Sequence, residues 1–160
     1  MKQAFIVGID PGWANLSHCV LALGNWRNPI KWTNERILSE KMTHEKLWQA
    51  TYNWCRENEK ILGEASMIVL EQQHEAPLQL MVCTIRTMFP HTAVVVNPMS
   101  VAAEYGLPRK RAEKKKATIE LVGKNVRIPT AKKKDDLADS YLLAIWGYQK
   151  LEQSTEGWKN

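Results

Sequence analysis

Ile6-Val7-Gly8-Ile9-Asp10-Pro11-Gly12 is an apolar, β-branched run that ends on a carboxylate and is then broken by Pro-Gly. Residues 3–10 read as a strand, and Pro11-Gly12 closes it. A carboxylate at the end of an apolar strand is costly to place there unless it binds something. The pattern recurs at Met67-Ile68-Val69-Leu70-Glu71, where residues 66–71 read as a strand buried on both faces. A third acidic group comes late, in Lys134-Asp135-Asp136-Leu137-Ala138-Asp139-Ser140. Asp136 and Asp139 stand three apart, which on a helix puts them on one face.

Further strands are expected at 18–23 and at about 30–39. Strands this close in sequence pair as antiparallel neighbours. Thr43 is expected to cap a helix that carries Leu47, Thr51, Trp54, Asn58 and Ile61 on one side and ends at Gly63. After the strand at 66–71 come a helix from Leu78 to Phe89, stopped by Pro90, and an apolar strand at 92–98. A short helix or turn at 99–105, a helix at about 111–122 and a last helix from Lys132 to Leu151 complete the order. The fold class is therefore α/β. It is a five-stranded mixed sheet, an antiparallel three-strand meander plus two parallel strands, with helices on both faces. Strand 1 and the strand ending at Glu71 are expected side by side and parallel, so Asp10 and Glu71 share one sheet edge. Residues 1–151 form one domain, and 152–160 are expected as a polar, frayed tail.

The chain has 160 residues, is 44% apolar and 24% charged, and matches a globular domain with a sizeable core. Cys19, Cys55 and Cys83 lack CxxC spacing and read as reduced, buried residues rather than zinc ligands or disulfides. His18, His44, His74 and His91 form no ligand pair at helical spacing. No apolar run reaches a membrane span, and the N-terminus enters a strand at once, so an intracellular protein is expected. The net charge of +5 is unevenly spread. Residues 109–134 hold eleven Lys or Arg against two Glu, Glu113 and Glu120, whereas the rest of the chain is net acidic. A basic run is ordinarily a solvated face. Next to acidic strand ends it points to a polyanion partner.

If the late helix packs across the same sheet edge, four carboxylates converge. They would repel and raise one another's pKa values. Divalent cations relieve that repulsion, and oxygen-only ligands favour Mg²⁺ or Mn²⁺ over zinc. Two such ions about 3.5–4 Å apart activate water and stabilise an in-line phosphoryl displacement. Each acid also has an ordinary reading. Asp10 before Pro-Gly suits a turn, and Asp135 and Asp136 suit the first turn of a helix. Glu71 has little use as a turn former. Together the acids suggest a metal-dependent phosphodiesterase acting on nucleic acid.

The same residues carry a family resemblance. Ile-Val-Gly-Ile-Asp-Pro-Gly, Val-Leu-Glu-Gln and Lys-Lys-Asp-Asp-Leu-Ala-Asp-Ser-Tyr-Leu-Leu-Ala resemble the motifs of RuvC-like Holliday junction resolvases. The last motif is most similar to the poxvirus and mitochondrial branch. The resemblance runs over about residues 4–148 and implies a ribonuclease H-like fold. It implies a homodimer that nicks two strands of a four-way DNA junction symmetrically, without a nucleotide cofactor. It also implies that Asp10, Glu71, Asp136 and Asp139 bind two Mg²⁺ ions, with Asp135 as a supporting neighbour. Arg109, Lys110, Arg111, Lys114, Lys115 and Lys116 resemble the basic run before the acidic helix in the viral enzymes. Together with Lys132, Lys133 and Lys134 they are the expected phosphate contacts. Which of Lys114, Lys115 and Lys116 reaches the scissile phosphate is left open. A viral, phage or organellar origin is left open too.

Trp48 and Trp54 are expected in the core or at a dimer interface. Trp13 and Trp26 fall in turns, where an indole either stacks on an unpaired base or plugs the surface. Trp13 departs from the small or polar residue usual after this motif. His74 lies three positions past Glu71 and is a candidate to approach the metals. Competing readings are another ribonuclease H-like nuclease, an actin-like ATPase fragment (whose phosphate loop also reads Gly-Ile-Asp-x-Gly) and a non-catalytic junction-binding protein.

Overall fold

The computed structural model describes residues 4–13, 15–37 and 43–156. Among the described residues five strands form one sheet: β1 (Phe5–Pro11), β2 (Asn15–Ala22), β3 (Lys31–Arg36), β4 (Ala65–Glu71) and β5 (Ala93–Val96). Their spatial order is β3-β2-β1-β4-β5. β2 pairs antiparallel with β1 and β3, while β4 pairs parallel with β1 and β5. The expected meander plus two parallel strands is what forms. The helices of the described residues are α1 (His44–Glu57), α2 (Glu59–Glu64), α3 (Ala76–Met88), α4 (Pro98–Glu104), α5 (Arg111–Gly123) and α6 (Lys134–Glu156).

Side chains alternate across a strand, and that alternation divides the core. Val7, Ile9, Leu16, Val20, Ile68 and Leu70 pack with Leu47 and Trp54 of α1 and Met81 and Ile85 of α3. Their neighbours Ile6, Cys19 and Leu21 turn the other way, onto Ala138, Tyr141 and Ala144 of α6. Val69 joins Leu142 and Leu143 on that second face. Burying each such aliphatic side chain stabilises the fold by roughly 1.5–3 kcal/mol. Helices therefore cover both faces.

The second face is held unusually close. A Cβ on Gly8 of β1 would stand 2.1 Å from the Ser140 carbonyl oxygen and 2.5 Å from the Ala144 nitrogen of α6. A Cβ on Gly147 would stand 2.6 Å from Val69 Cγ2 of β4. Glycine at these two positions lets the helix backbone lie on the strands. Trp32 Nε1–H of β3 also donates to the Leu137 carbonyl at 2.9 Å and fixes the first turn of α6.

Several local expectations differ. The helix expected from 43 to 63 breaks at Asn58. There Asn58 Nδ2–H donates to the Trp54 carbonyl and its Oδ1 accepts from Lys31 Nζ, so the side chain competes with the helical ladder. Gly63 does not end the helix but lies inside α2. Thr43 caps α1 as expected, accepting from Lys46 N–H at 3.3 Å. α6 starts at Lys134 and runs to Glu156, into the stretch expected as a frayed tail. Residues 157–160, and positions 38 and 39 of the expected third strand, lie outside the described residues. Cys83 is exposed rather than buried, because it lies on the solvent side of α3. Trp54 is buried while Trp48 stays 43% exposed, its ring stacked on Tyr52.

Candidate active site

The registers build a polar row across the sheet. Asp10 of β1 lies opposite Ser17 of β2, and Ser17 lies opposite Asn34 of β3. On the other side Ile9 pairs with Leu70, which puts Glu71 beside Asp10. Asp10 follows Ile6 and Gly8 on the face toward α6, and Glu71 follows Met67 and Val69. Both carboxylates therefore project beneath that helix. Ser17 Oγ–H donates to Ser140 Oγ at 3.0 Å, and Ser140 Oγ–H donates to the Leu137 carbonyl at 2.9 Å. This buried pair ties the row to α6.

The α6 acids complete the group. Asn34 Nδ2–H donates to Asp136 Oδ2 at 3.4 Å. Asp139 lines a narrow crevice together with Glu71 and Lys114, against the apolar sides of Val101, Ala102 and Leu142. Asp10, Glu71, Asp136 and Asp139 thus share one electrostatic field. Burial first, then the charges of Glu71, Asp139 and Asp136, holds the Asp10 carboxyl well above the usual range. Burial, with Glu71 next, pushes Asp139 up to about 7. Glu71 and Asp136 are also raised, each chiefly by burial. Lys114 opposes the rise at Asp10, Glu71 and Asp139.

The four acids come together, but more loosely than expected. Among the described residues no three His, Cys, Asp or Glu side chains are gathered tightly enough to enclose a metal ion as they stand. The chemistry of the donor set nevertheless fits a hard divalent cation. It is all oxygen, desolvated, mutually repelling and short of positive charge. Asn34 Oδ1, at its edge, is a buried oxygen with no hydrogen-bond partner.

The basic segment divides in two. Lys114 and Lys115 are half-buried on α5, with Lys114 turned to the carboxylates. Lys115 Nζ is paired with Asp135 Oδ2 in a short contact, which occupies that acid and clips α5 to α6. Arg109, Lys110, Arg111, Lys116, Lys132, Lys133 and Lys134 are exposed. Of these, Lys110 pairs with Glu113 at 3.5 Å and Lys133 reaches Asp136 at 3.9 Å. His74 is exposed on the loop after β4, and its carbonyl accepts from Gln79 Nε2–H. Trp13 is an exposed turn residue whose Nε1–H donates to Glu75 Oε2 at 2.5 Å.

Sequence reasoning missed Ser17, Asn34 and Ser140. Small polar residues carry no signal alone; strand registers align Ser17 and Asn34 with Asp10, and Ser140 joins them only through the packing of α6 on β2.

No curated protein sequence matches the chain. Solved structures do. Thermus thermophilus RuvC in complex with a Holliday junction substrate matches with a TM-score of 0.67 at 14% identity, covering 94% of this chain and 96% of that one. The fowlpox virus resolvase in complex with Holliday junction DNA gives 0.65 at 16% identity, over 92% and 98%. The yeast mitochondrial Holliday junction resolvase Ydc2 gives 0.65 at 15% identity, over 89% and 78%. The fold is the ribonuclease H-like fold of these resolvases. A family model described as poxvirus A22 protein matches residues 4–149, nearly the whole of the sequence, and the chain belongs to that family.

Proposed function

We propose that this chain is a structure-selective DNA endonuclease that resolves four-way junctions by metal-dependent phosphodiester hydrolysis, in recombination and repair. The observation that carries the reading is the gathering of Asp10, Glu71, Asp136 and Asp139 into one buried, mutually repelling group beside a basic helix. Family membership and a fold shared with three resolvases support it.

The four acids would hold two Mg²⁺ ions, with Mn²⁺ able to substitute. Bound there, such cations supply the Lewis acidity for in-line attack of water on a phosphodiester. The chain's own groups do the remainder. Asn34 and the Ser17–Ser140 pair orient the acids. Lys114 offsets their charge and is the lysine positioned to meet the scissile phosphate. Asp135 keeps Lys115 on α6 and so holds the α5–α6 angle. Arg109, Lys110, Arg111, Lys116, Lys132, Lys133 and Lys134 supply phosphate contacts around the cleft. A four-way junction presents two equivalent strands, which a two-fold homodimer matches. Such DNA arises inside cells, so an intracellular location follows. Among the described residues no helix is long and apolar enough to cross a membrane.

The test is incubation with labelled four-way, forked and linear DNA plus Mg²⁺. Paired nicks on opposing junction arms, with linear duplex spared, are the expected result. Equal cutting of an RNA–DNA hybrid would transfer the assignment to another ribonuclease H-like activity. ATP turnover without nicking would overturn it.

A further inference from the structure

Trp13 lies three residues past Asp10 in the β1–β2 connection and is 51% exposed. Large aromatic side chains ordinarily bury more than this. It belongs to none of the apolar clusters of the described residues. Its position is nonetheless fixed. Nε1–H donates to Glu75 Oε2 at 2.5 Å, across 62 positions of sequence. Glu75 occupies the N-cap of α3, yet its side chain makes no cap hydrogen bond; its carboxylate serves the indole instead. Glu75 follows Glu71 by four residues. One hydrogen bond therefore joins the turn after Asp10 to the turn after Glu71, at the rim of the carboxylate group. It holds the indole edge and leaves ring surface open to solvent.

The geometry points to Trp13 as a stacking platform for an unpaired nucleobase beside the scissile phosphate, with Glu75 as the residue that sets its angle. An indole face stacks on any base, so the contact is tolerant of sequence. An uninterrupted duplex offers no free base face. Branch points do. The platform thus favours branched over linear DNA, in addition to whatever the phosphate contacts read from the shape of the junction. This inference rests on the endonuclease reading and names the substrate feature that the site detects.

The test uses the cleavage-deficient Asp136→Asn chain with Mg²⁺. Its Kd is measured for a four-way junction carrying 2-aminopurine at the branch point and for a linear duplex of the same sequence. Adding Trp13→Ala is expected to weaken junction binding about tenfold, the size of one lost base–aromatic stack. Duplex affinity is expected to stay unchanged, and the protein-induced quenching of 2-aminopurine to disappear. Trp13→Phe keeps a ring face without the N–H, and Glu75→Ala keeps the indole without its anchor. Both should give intermediate losses, with circular dichroism like that of the parent. Junction binding and quenching that do not respond to Trp13→Ala would overturn the inference alone, and so would an equal loss on junction and duplex. A parent chain that binds junction no better than duplex would overturn the endonuclease reading as well.

Discussion

The two faces of the sheet are built from the same strands and do different work. Toward α1 and α3, Val7, Ile9, Ile68 and Leu70 meet only apolar partners over their length. Toward α6, the alternate residues begin in the same way with Ile6, Met67 and Val69, then end on Asp10 and Glu71. On β1 and β4 the first face is given to apolar packing. The other packs at one end and collects charge at the other. The lesson is that a six- or seven-residue strand can supply both core and chemistry, because its period of two separates them without extra length.

The largest expected contrast comes from removing one acid. Asp136→Asn or Asp10→Asn should reduce junction cleavage by more than about a hundredfold, beyond the 10–100-fold typical of changes to supporting groups around a metal. The melting temperature should hold or rise, because buried repulsion is relieved. A variant that cuts at the parental rate would remove that acid from the site.

Next comes a pair of substitutions, one on each face. Leu70→Ala empties a buried position on the α1–α3 face and should cost about 2–5 kcal/mol. Cleavage per folded molecule should remain near the parental level, as urea melts and active-site titration would reveal. Gly8→Ala adds one methyl group where the α6 backbone already lies. It should destabilise by at least about 1–3 kcal/mol and, unlike Leu70→Ala, also lower cleavage by moving Asp136 and Asp139 away from Asp10. Equal activity in both variants would mean that the two faces are not functionally distinct.

A smaller contrast lies in pH. His18 faces α1, edge-on to Trp54 at 5.3 Å between ring centroids. Burial, assisted by Lys31 and opposed by Glu35, lowers it from 6.5 to about 4. Folding here excludes a proton, so the contribution is complete above about pH 6.5 and is lost as pH falls toward about 4. Asp139 behaves in the opposite sense. Its folded pKa is raised to about 7, so folding favours the protonated acid. That contribution is complete below its ordinary value near 3.8 and is lost as pH rises through about 7. In EDTA, Asp139→Asn should therefore flatten the decline in melting temperature between about pH 4 and 7, whereas His18→Gln should flatten the decline on acidification. Mg²⁺ should raise stability at neutral pH in the parent and do less in Asp139→Asn.

What sequence could reveal follows the physics of each feature. Asp10 and Glu71 were legible because an acid after an apolar strand is conspicuous, and the Asp136–Asp139 pair because helical spacing is local. The sheet order followed from short connections and strand content. The choice among Lys114, Lys115 and Lys116 was not legible. It depends on the rotation of α5 against α6, which the distant Asp135–Lys115 pair helps to fix. The break at Asn58 was hidden for a similar reason, since it uses Lys31 from another strand. Residues 152–156 looked like a tail because their composition is polar, yet α6 continues through them.

Gly8 places the last helix directly on the β1 backbone with no side chain as a spacer, and Gly147 lets a later turn of that helix rest on the side chains of Ile6, Met67 and Val69. The gap across the acidic cleft is consequently set by main-chain thickness, a quantity that substitution elsewhere on α6 can hardly alter. Lengthening Asp139 to glutamate would then push a carboxylate into a fixed gauge instead of letting the walls adjust. Changes at the rim can therefore alter what the cleft admits while the calibre beneath stays constant.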